Sequence, residues 1–268
     1  MDFNQMNKRH WDKASLVHLN APRGYYDIEG FNRGGLSLKP VHIKELGDLK
    51  GKKILHLLCH IGLDSLSLAR LGASVVGVDI SENAVDIAKE LSEKNKLDAR
   101  FICTDVYGLK DVLEEDFDIV FASHGVTCWL KDLDEFMSMA YSYLKPGGFF
   151  YLMDGHPVSM IMSNEPDGED IRVAGTYFKE NTEPSFYEGS EDYADKEVII
   201  DAPTYEWHYT VSDILNSVGQ SGLRLTSFNE HPFCDDTYYV GMKKDSDGWY
   251  RLNNESKLPL MYSLKAIK

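Results

Sequence analysis

Between residues 53 and 153, short apolar runs alternate with segments whose apolar side chains recur every three to four positions. Few architectures satisfy that alternation, because each amphipathic helix must cover a strand and each strand must find a parallel neighbour. Residues 53–59 (KILHLLC), 74–80 (SVVGVDI), 99–104, 118–123 and 149–153 read as buried strands. The segment 62–71 reads as a helix, with Asp64 and Ser65 in its first turn and Gly72 past its end. Ser81 caps the next helix, in which Ala84, Ile87, Ala88 and Leu91 share a face. Asp132 and Glu135 form a capping-box pattern ahead of Leu133, Phe136, Met137 and Ala140, and KPGG at 145–148 supplies the breakers. A second box, Thr210 with Asp213, opens a helix bearing Val211, Ile214, Leu215 and Val218. Residues 223–228 and 260–266 follow as strands with no helix between them, which predicts an antiparallel pair. The fold class expected is α/β: a Rossmann-like, doubly wound, seven-stranded sheet, mostly parallel with an antiparallel C-terminal strand.

Three segments carry the organisation. Residues 1–50 are polar and turn-rich with a helical signal around Trp11, and are expected to cap the site. Residues 51–268 hold the sheet, interrupted at about 155–204 by an insertion. From 154 to 204 there are thirteen acids against three bases, so this stretch supplies most of the chain's net charge of −15. Tyr177, Phe178, Phe186, Tyr187 and Tyr193 are interleaved with those acids. A long irregular insertion after a sheet strand is commonly a lid or a substrate-binding segment, the alternative being a solvated excursion. So acidic a surface repels a phosphate backbone, which argues against nucleic acid as the partner. No apolar run has the length of a membrane helix, and the first residues lack the apolar stretch of a secretory signal. Cys59, Cys103, Cys128 and Cys234 stand too far apart for a zinc knot, and scattered thiols suit a reducing, cytoplasmic setting. No group of His, Asp and Glu has metal-ligand spacing, so no metal is expected.

In open α/β sheets ligands bind at the carboxyl ends of the strands, where strand order reverses. Four positions matter there: Cys59-His60-Ile61-Gly62 after the first strand, Asp79 ending the second, Asp105 after the third, and Ser123-His124 after the fourth. An acid at the end of the second strand accepts hydrogen bonds from both hydroxyls of a ribose, in dinucleotides and in other adenosyl cofactors alike. A dinucleotide also needs the G-x-G-x-x-G turn, which is absent.

The run LHLLCHIGLDSLSLARLGASVVGVDIS, the third-strand Asp105 and LKPGGFFYLMD together resemble the class I S-adenosylmethionine-dependent methyltransferases. The likeness covers about residues 50–155, and the last helix and antiparallel pair fit the same family. The opening NKRHWDKAS is similar to the helix that many small-molecule members lay over the cofactor. The resemblance implies S-adenosyl-L-methionine as cofactor, with Asp79 on the ribose, Ile80 against the adenine face and Asp105 at the adenine amino group. Val106 would donate to the ring, Ser123 would line the methionine end, and Leu58, Cys59, Gly62 and Asp64 would form the first cofactor turn. The departure lies in that turn: His56 stands where the family has an acid, and Leu58 and His60 stand where it has glycines, so that only Gly62 remains. C-H-x-G-x-D resembles a variant of the motif in some small-molecule members.

Methyl transfer is an in-line displacement dominated by positioning, with a base needed only for a neutral hydroxyl or a protonated amine. His124 and His156, after the fourth and fifth strands, are the candidate bases. Tyr26, with Tyr25, is placed to close over the sulfonium. Trp129, Trp207 and Tyr177 are candidate walls for a small-molecule acceptor, and the acidic insertion raises a cationic amine as one acceptor class. The protein is expected as monomer or homodimer. Two other functions compete: a non-catalytic adenosyl-ligand-binding module of the same fold, and an NAD(P)-dependent oxidoreductase.

Overall fold

β1 (Lys53–Leu57) is buried at all but its first residue and lies in the interior of a seven-stranded sheet, where the sequence places its most apolar run. The other strands are β2 (Ser74–Asp79), β3 (Ala99–Cys103), β4 (Phe117–Ser123), β5 (Leu144–Gly155), β6 (Arg224–His231) and β7 (Met261–Ile267). Their order is β6-β7-β5-β4-β1-β2-β3. All neighbours pair in parallel except β7, which runs antiparallel to both β5 and β6. This computed structural model describes residues 2–22, 25–165, 168, 170–178, 183–252 and 258–268. The order reverses between β1 and β4, which opens a crevice at their carboxyl ends.

Among the described residues there are seven α-helices: α1 (Phe3–Leu19), α2 (Ile28–Asn32), α3 (Pro40–Leu46), α4 (Leu63–Arg70), α5 (Glu82–Asn95), α6 (Leu133–Tyr143) and α7 (Val211–Gln220). Strand alternation divides the core in two. Leu55, Leu57, Val120 and Ala122 pack under α6 and α7, while Ile54, Ile119, Phe121 and Tyr151 pack on the opposite face with Leu46, Leu68 and Trp249. Ser81 caps α5 by accepting the Ala84 N–H, and Thr210 and Asp213 make the reciprocal box at α7. At α6 Asp132 accepts the Glu135 N–H at 2.8 Å.

Two local expectations are corrected. KPGG does not separate α6 from the last parallel strand; β5 begins at Leu144 and carries those residues as an irregularity between the Phe117–Leu144 and Ile119–Phe149 pairs, with Gly147 at φ 79°. The insertion is not wholly irregular, since short antiparallel pairs join 162–164 to 171–173, 190–191 to 199–200, and 185–187 to 204–206. Residues 166, 167, 169 and 179–182 of it lie outside the described residues, as do residues 23 and 24 of the turn-rich N-terminal segment.

Candidate functional site

The reversal point opens into a cavity of about 1190 Å³. That exceeds the roughly 300–1,000 Å³ typical of a site for one small ligand, and so leaves room for two ligands side by side. Its floor is the carboxyl edge of the sheet. Leu58, Cys59, Gly62, Asp64, Asp79, Ile80, Asp105, Val106, Ser123, His124 and Trp129 all line it, and so does Tyr26 from the N-terminal segment. Twelve of the fifteen residues singled out from the sequence therefore converge on one space.

The turn after β1 makes its bend without most of the glycines. Leu58 and His60 adopt φ of 54° and 50°, and Gly62 adopts 77°. Left-handed backbone disfavours a side chain, so the turn is strained at two positions. At Gly62 alone is there no room, since a Cβ would stand 2.7 Å from Ala88 Cβ and 2.8 Å from the Phe101 ring. The helix that follows packs against α5, and that packing keeps the last glycine.

Asp79 closes the turn. Its Oδ2 accepts the His60 N–H at 2.7 Å and its Oδ1 accepts the Ser81 N–H at 2.9 Å. Burial pushes the carboxyl up to about 6, against the pull of these backbone donors. Asp105 accepts the Tyr107 N–H at 3.0 Å and the Asn4 amide of α1, so the cap is tied to the β3 edge.

A polar group surrounds the far end of the first turn. Asp64 accepts from Ser37 and, at 3.1 Å, from Ser123. Burial alone would raise its carboxyl, yet His124 and His42 nearby hold it below the ordinary carboxylate range. His124 Nδ1 lies 3.1 Å from Asp235 Oδ2. Burial opposes its charge, but Asp235, Asp64 and Asp154 together raise the imidazole above the usual histidine value. His56 borders the same space with Nδ1 on Ser65 at 2.7 Å, and burial pushes it down to about 4. Its Nε2 is buried and finds no partner among the described residues.

Three expected residues stand elsewhere, which corrects their placement. β5 runs on to Gly155, and the chain then turns away, with the His156 N–H donating to Leu260 O at 2.9 Å and the ring 3.1 Å from Glu230. Tyr177 accepts the Val211 N–H at 3.1 Å, at the start of α7. Trp207 is buried against Phe3 of α1, edge to face at 5.9 Å. Among the described residues of 155–204, Tyr193 alone reaches the cavity, so the insertion does not line it with acids.

The structure adds residues that periodicity does not mark. Asn4, Asn7 and Trp11 of α1, Tyr193, Asp235 and Lys244 all line the cavity. Below the cap, His18 Nε2 lies 2.8 Å from Asp192 Oδ2, and His18 Nδ1 lies 2.7 Å from His60 Nε2. A faint sequence signal existed for α1 in its Trp11 periodicity; for Asp192 and Asp235, remote loop residues, there was none.

The residues fit an adenosyl cofactor. A half-buried carboxylate that borders the cavity stands at the end of β2, an orphaned imidazole nitrogen borders the first turn, and the cavity has space beyond one ligand.

Residues 55–152 match the methyltransferase domain family profile. A ubiquinone biosynthesis O-methyltransferase of Coxiella burnetii is 34% identical over 122 residues, 41% of this chain and 48% of that protein. Its namesake in Brucella ovis is 35% identical over 104 residues, 39% of this chain and 41% of that one. The chain thus spans about half the length, or less, of the curated relatives it matches. In structure it is similar to an S-adenosylmethionine-dependent methyltransferase from Mesorhizobium loti, with TM-score 0.61 and 21% identity, covering 85% of this chain and 96% of that one. It is also similar to the magnesium protoporphyrin IX methyltransferase of Synechocystis PCC 6803, which holds bound S-adenosylhomocysteine. That match has TM-score 0.57 and 14% identity over 100% of both chains. The sheet has the fold of these methyltransferases, and the profile match falls on its core, residues 55–152.

Proposed function

We propose that this chain transfers a methyl group from S-adenosyl-L-methionine to a small-molecule acceptor bound beside it. The observation that carries this is the convergence of Asp79, Asp105 and Ser123-His124, from three successive strand ends, on one cavity roofed by α1. S-adenosylmethionine supplies, when bound, a methyl group activated by a positively charged sulfur. Asp79 is the ribose ligand, with Ile80 on the adenine face and Asp105 and Val106 at the adenine edge. Leu58, Cys59, Gly62, Asp64 and Ser123 hold the methionine end, where Asp64 takes the place that His56 leaves without an acid. Tyr26 closes from the cap, and Trp129 walls the acceptor side. His124, oriented through Nδ1 by Asp235, is the candidate base.

Residues 1–50 act as the cap and 51–268 as the catalytic domain, with 155–204 as a lid that contributes Tyr193. The protein is read as cytoplasmic, as a monomer or homodimer, and as acting without nucleic acid. Among the described residues no helix is long and apolar enough to cross a membrane. The name of the Coxiella burnetii relative favours an oxygen as the methylated atom.

The test is release of S-adenosylhomocysteine from S-adenosylmethionine over acceptor panels of phenols, alcohols, amines and carboxylates. Turnover with at least one hydroxyl compound, lost in Asp79→Ala, is the expected result. Tight cofactor binding without turnover of any class would favour the non-catalytic binding module instead.

A further inference from the structure

Beneath the cap, three side chains from distant parts of the sequence form a continuous line. Asp192 of the insertion meets His18 of α1 at 2.8 Å, and His18 meets His60 of the first turn at 2.7 Å. The Asp192–His18 pair is almost fully buried, at 2% and 0% exposure. His60 borders the cavity, and its Nδ1 has no partner among the described residues.

The direction of the hydrogens follows from the fixed end. A carboxylate accepts and does not donate, so His18 Nε2 carries a hydrogen toward Asp192. The next hydrogen is placed with both rings in their neutral form. His18 Nδ1 is then a bare lone pair, and His60 Nε2 must donate to it. The Tyr193 hydroxyl, 3.5 Å from the same Nδ1 and bonded to Tyr26 at 2.7 Å, adds a second donor on that side. His60 is left with its lone pair on Nδ1, on a ring bordering the cavity. The charge of a buried carboxylate in the lid thus sets the hydrogen-bonding sense of an atom at the ligand.

The surroundings of that atom are flat and aromatic. Trp11 and Tyr26 lie 5.3 and 5.6 Å from the His60 ring, centre to centre, and Trp129 packs edge-on to Trp11 at 5.1 Å. Such walls suit a planar aromatic body, and a lone pair among them rejects a partner that has no hydrogen to give. We propose that His60 Nδ1, held as an acceptor by His18 and Asp192, binds the hydroxyl of a planar aromatic acceptor and so selects a phenol-class substrate. His18 and Asp192 are positioning residues. The assignment rests on the methyl-transfer reading above.

The experiment uses the full chain loaded with S-adenosylhomocysteine at pH 8, titrated in parallel with catechol and with 1,2-dimethoxybenzene, which has the same ring but no donor. Catechol is expected to bind about tenfold more tightly. His60→Asn, which keeps a residue tolerant of left-handed backbone, should bring that ratio to about one. Asp192→Asn, isosteric and still able to accept from the 194 and 195 N–H groups, should lower it. ¹⁵N spectra of histidine-labelled protein should show His60 with Nε2 protonated and Nδ1 bare, and a mixture of tautomers in Asp192→Asn. Equal affinities, a preference surviving in His60→Asn, no binding of either compound, or a protonated Nδ1 overturns the assignment. Affinity for S-adenosylhomocysteine is read in the same samples. If it is intact while the catechol preference is absent, only the His60 assignment fails; if it is absent, the methyl-transfer reading beneath it fails.

Discussion

The two halves of the cavity are held by different physics. The floor comes from strand ends: Asp79, Asp105 and Ser123 are fixed by a hydrogen-bonded sheet whose inner strands are buried on both faces. The roof comes from α1 and the insertion, joined to the floor by a few polar contacts: Asn4 to Asp105, Ser81 to Asp12 at 2.8 Å, and the Asp192–His18–His60 line. A floor built by packing moves only when the core unfolds, whereas a roof pinned by a few bonds opens at the cost of those bonds. Ligands must enter and leave a cavity covered in this way, so the contrast places the motion in the roof.

The largest effect should come from cutting the pin. His18→Ala leaves Asp192 buried without its imidazole, a loss of about 3 kcal/mol for a broken buried pair. Hydrogen exchange should show α1 and residues 190–202 losing protection while β1 and β4 keep theirs. Equal loss across the sheet would show instead that roof and floor form one cooperative unit.

Gly62→Ala attacks the floor. The new Cβ meets Ala88 and Phe101 and must sit at φ 77°, so a loss of about 2 kcal/mol or more is expected in chemical denaturation. Protection should fall in α4 and α5, not in α1.

Proton linkage gives a smaller effect. Asp79 is raised to about 6 by burial, so the native state holds a proton through the range where the unfolded chain has lost it. Unliganded stability therefore falls as pH rises from about 4 to about 6. Ribose hydroxyls need the ionised carboxylate, so affinity for S-adenosylhomocysteine moves the other way and should weaken about tenfold between pH 7.5 and pH 5. A flat pH profile in calorimetry would remove Asp79 from the ribose. Smallest of all, Tyr177→Phe should change that affinity by less than about twofold, because its hydroxyl serves α7 and not the cavity.

The same contrast explains what could be read from the sequence. Strand and helix periods are local, and in an open α/β sheet the strand ends are where ligands bind, so the strand-end positions of Asp79, Asp105, Ser123 and His124 are legible in the sequence. His18 and Asp192 are 174 positions apart, and Asp235 comes from the turn-rich stretch between β6 and β7; no period links such residues. His156 also follows a strand end, yet β5 extends to Gly155 and its successor folds back onto Leu260, away from the cavity. Trp207 and Tyr177 stand away from the cavity, as aromatics serve packing as readily as binding. The absent glycines at positions 58 and 60 mattered less than their loss suggests, since both side chains are carried in left-handed backbone.

The central claim is that the strand-end carboxylates hold an adenosyl cofactor. Calorimetric titration with S-adenosylhomocysteine and with NADH, on the protein and on Asp79→Ala, tests it most directly. The account predicts micromolar binding of the adenosyl ligand, weakened about a hundredfold or more by the substitution, and none of NADH. NADH binding, or adenosyl binding that ignores the loss of Asp79, would contradict it.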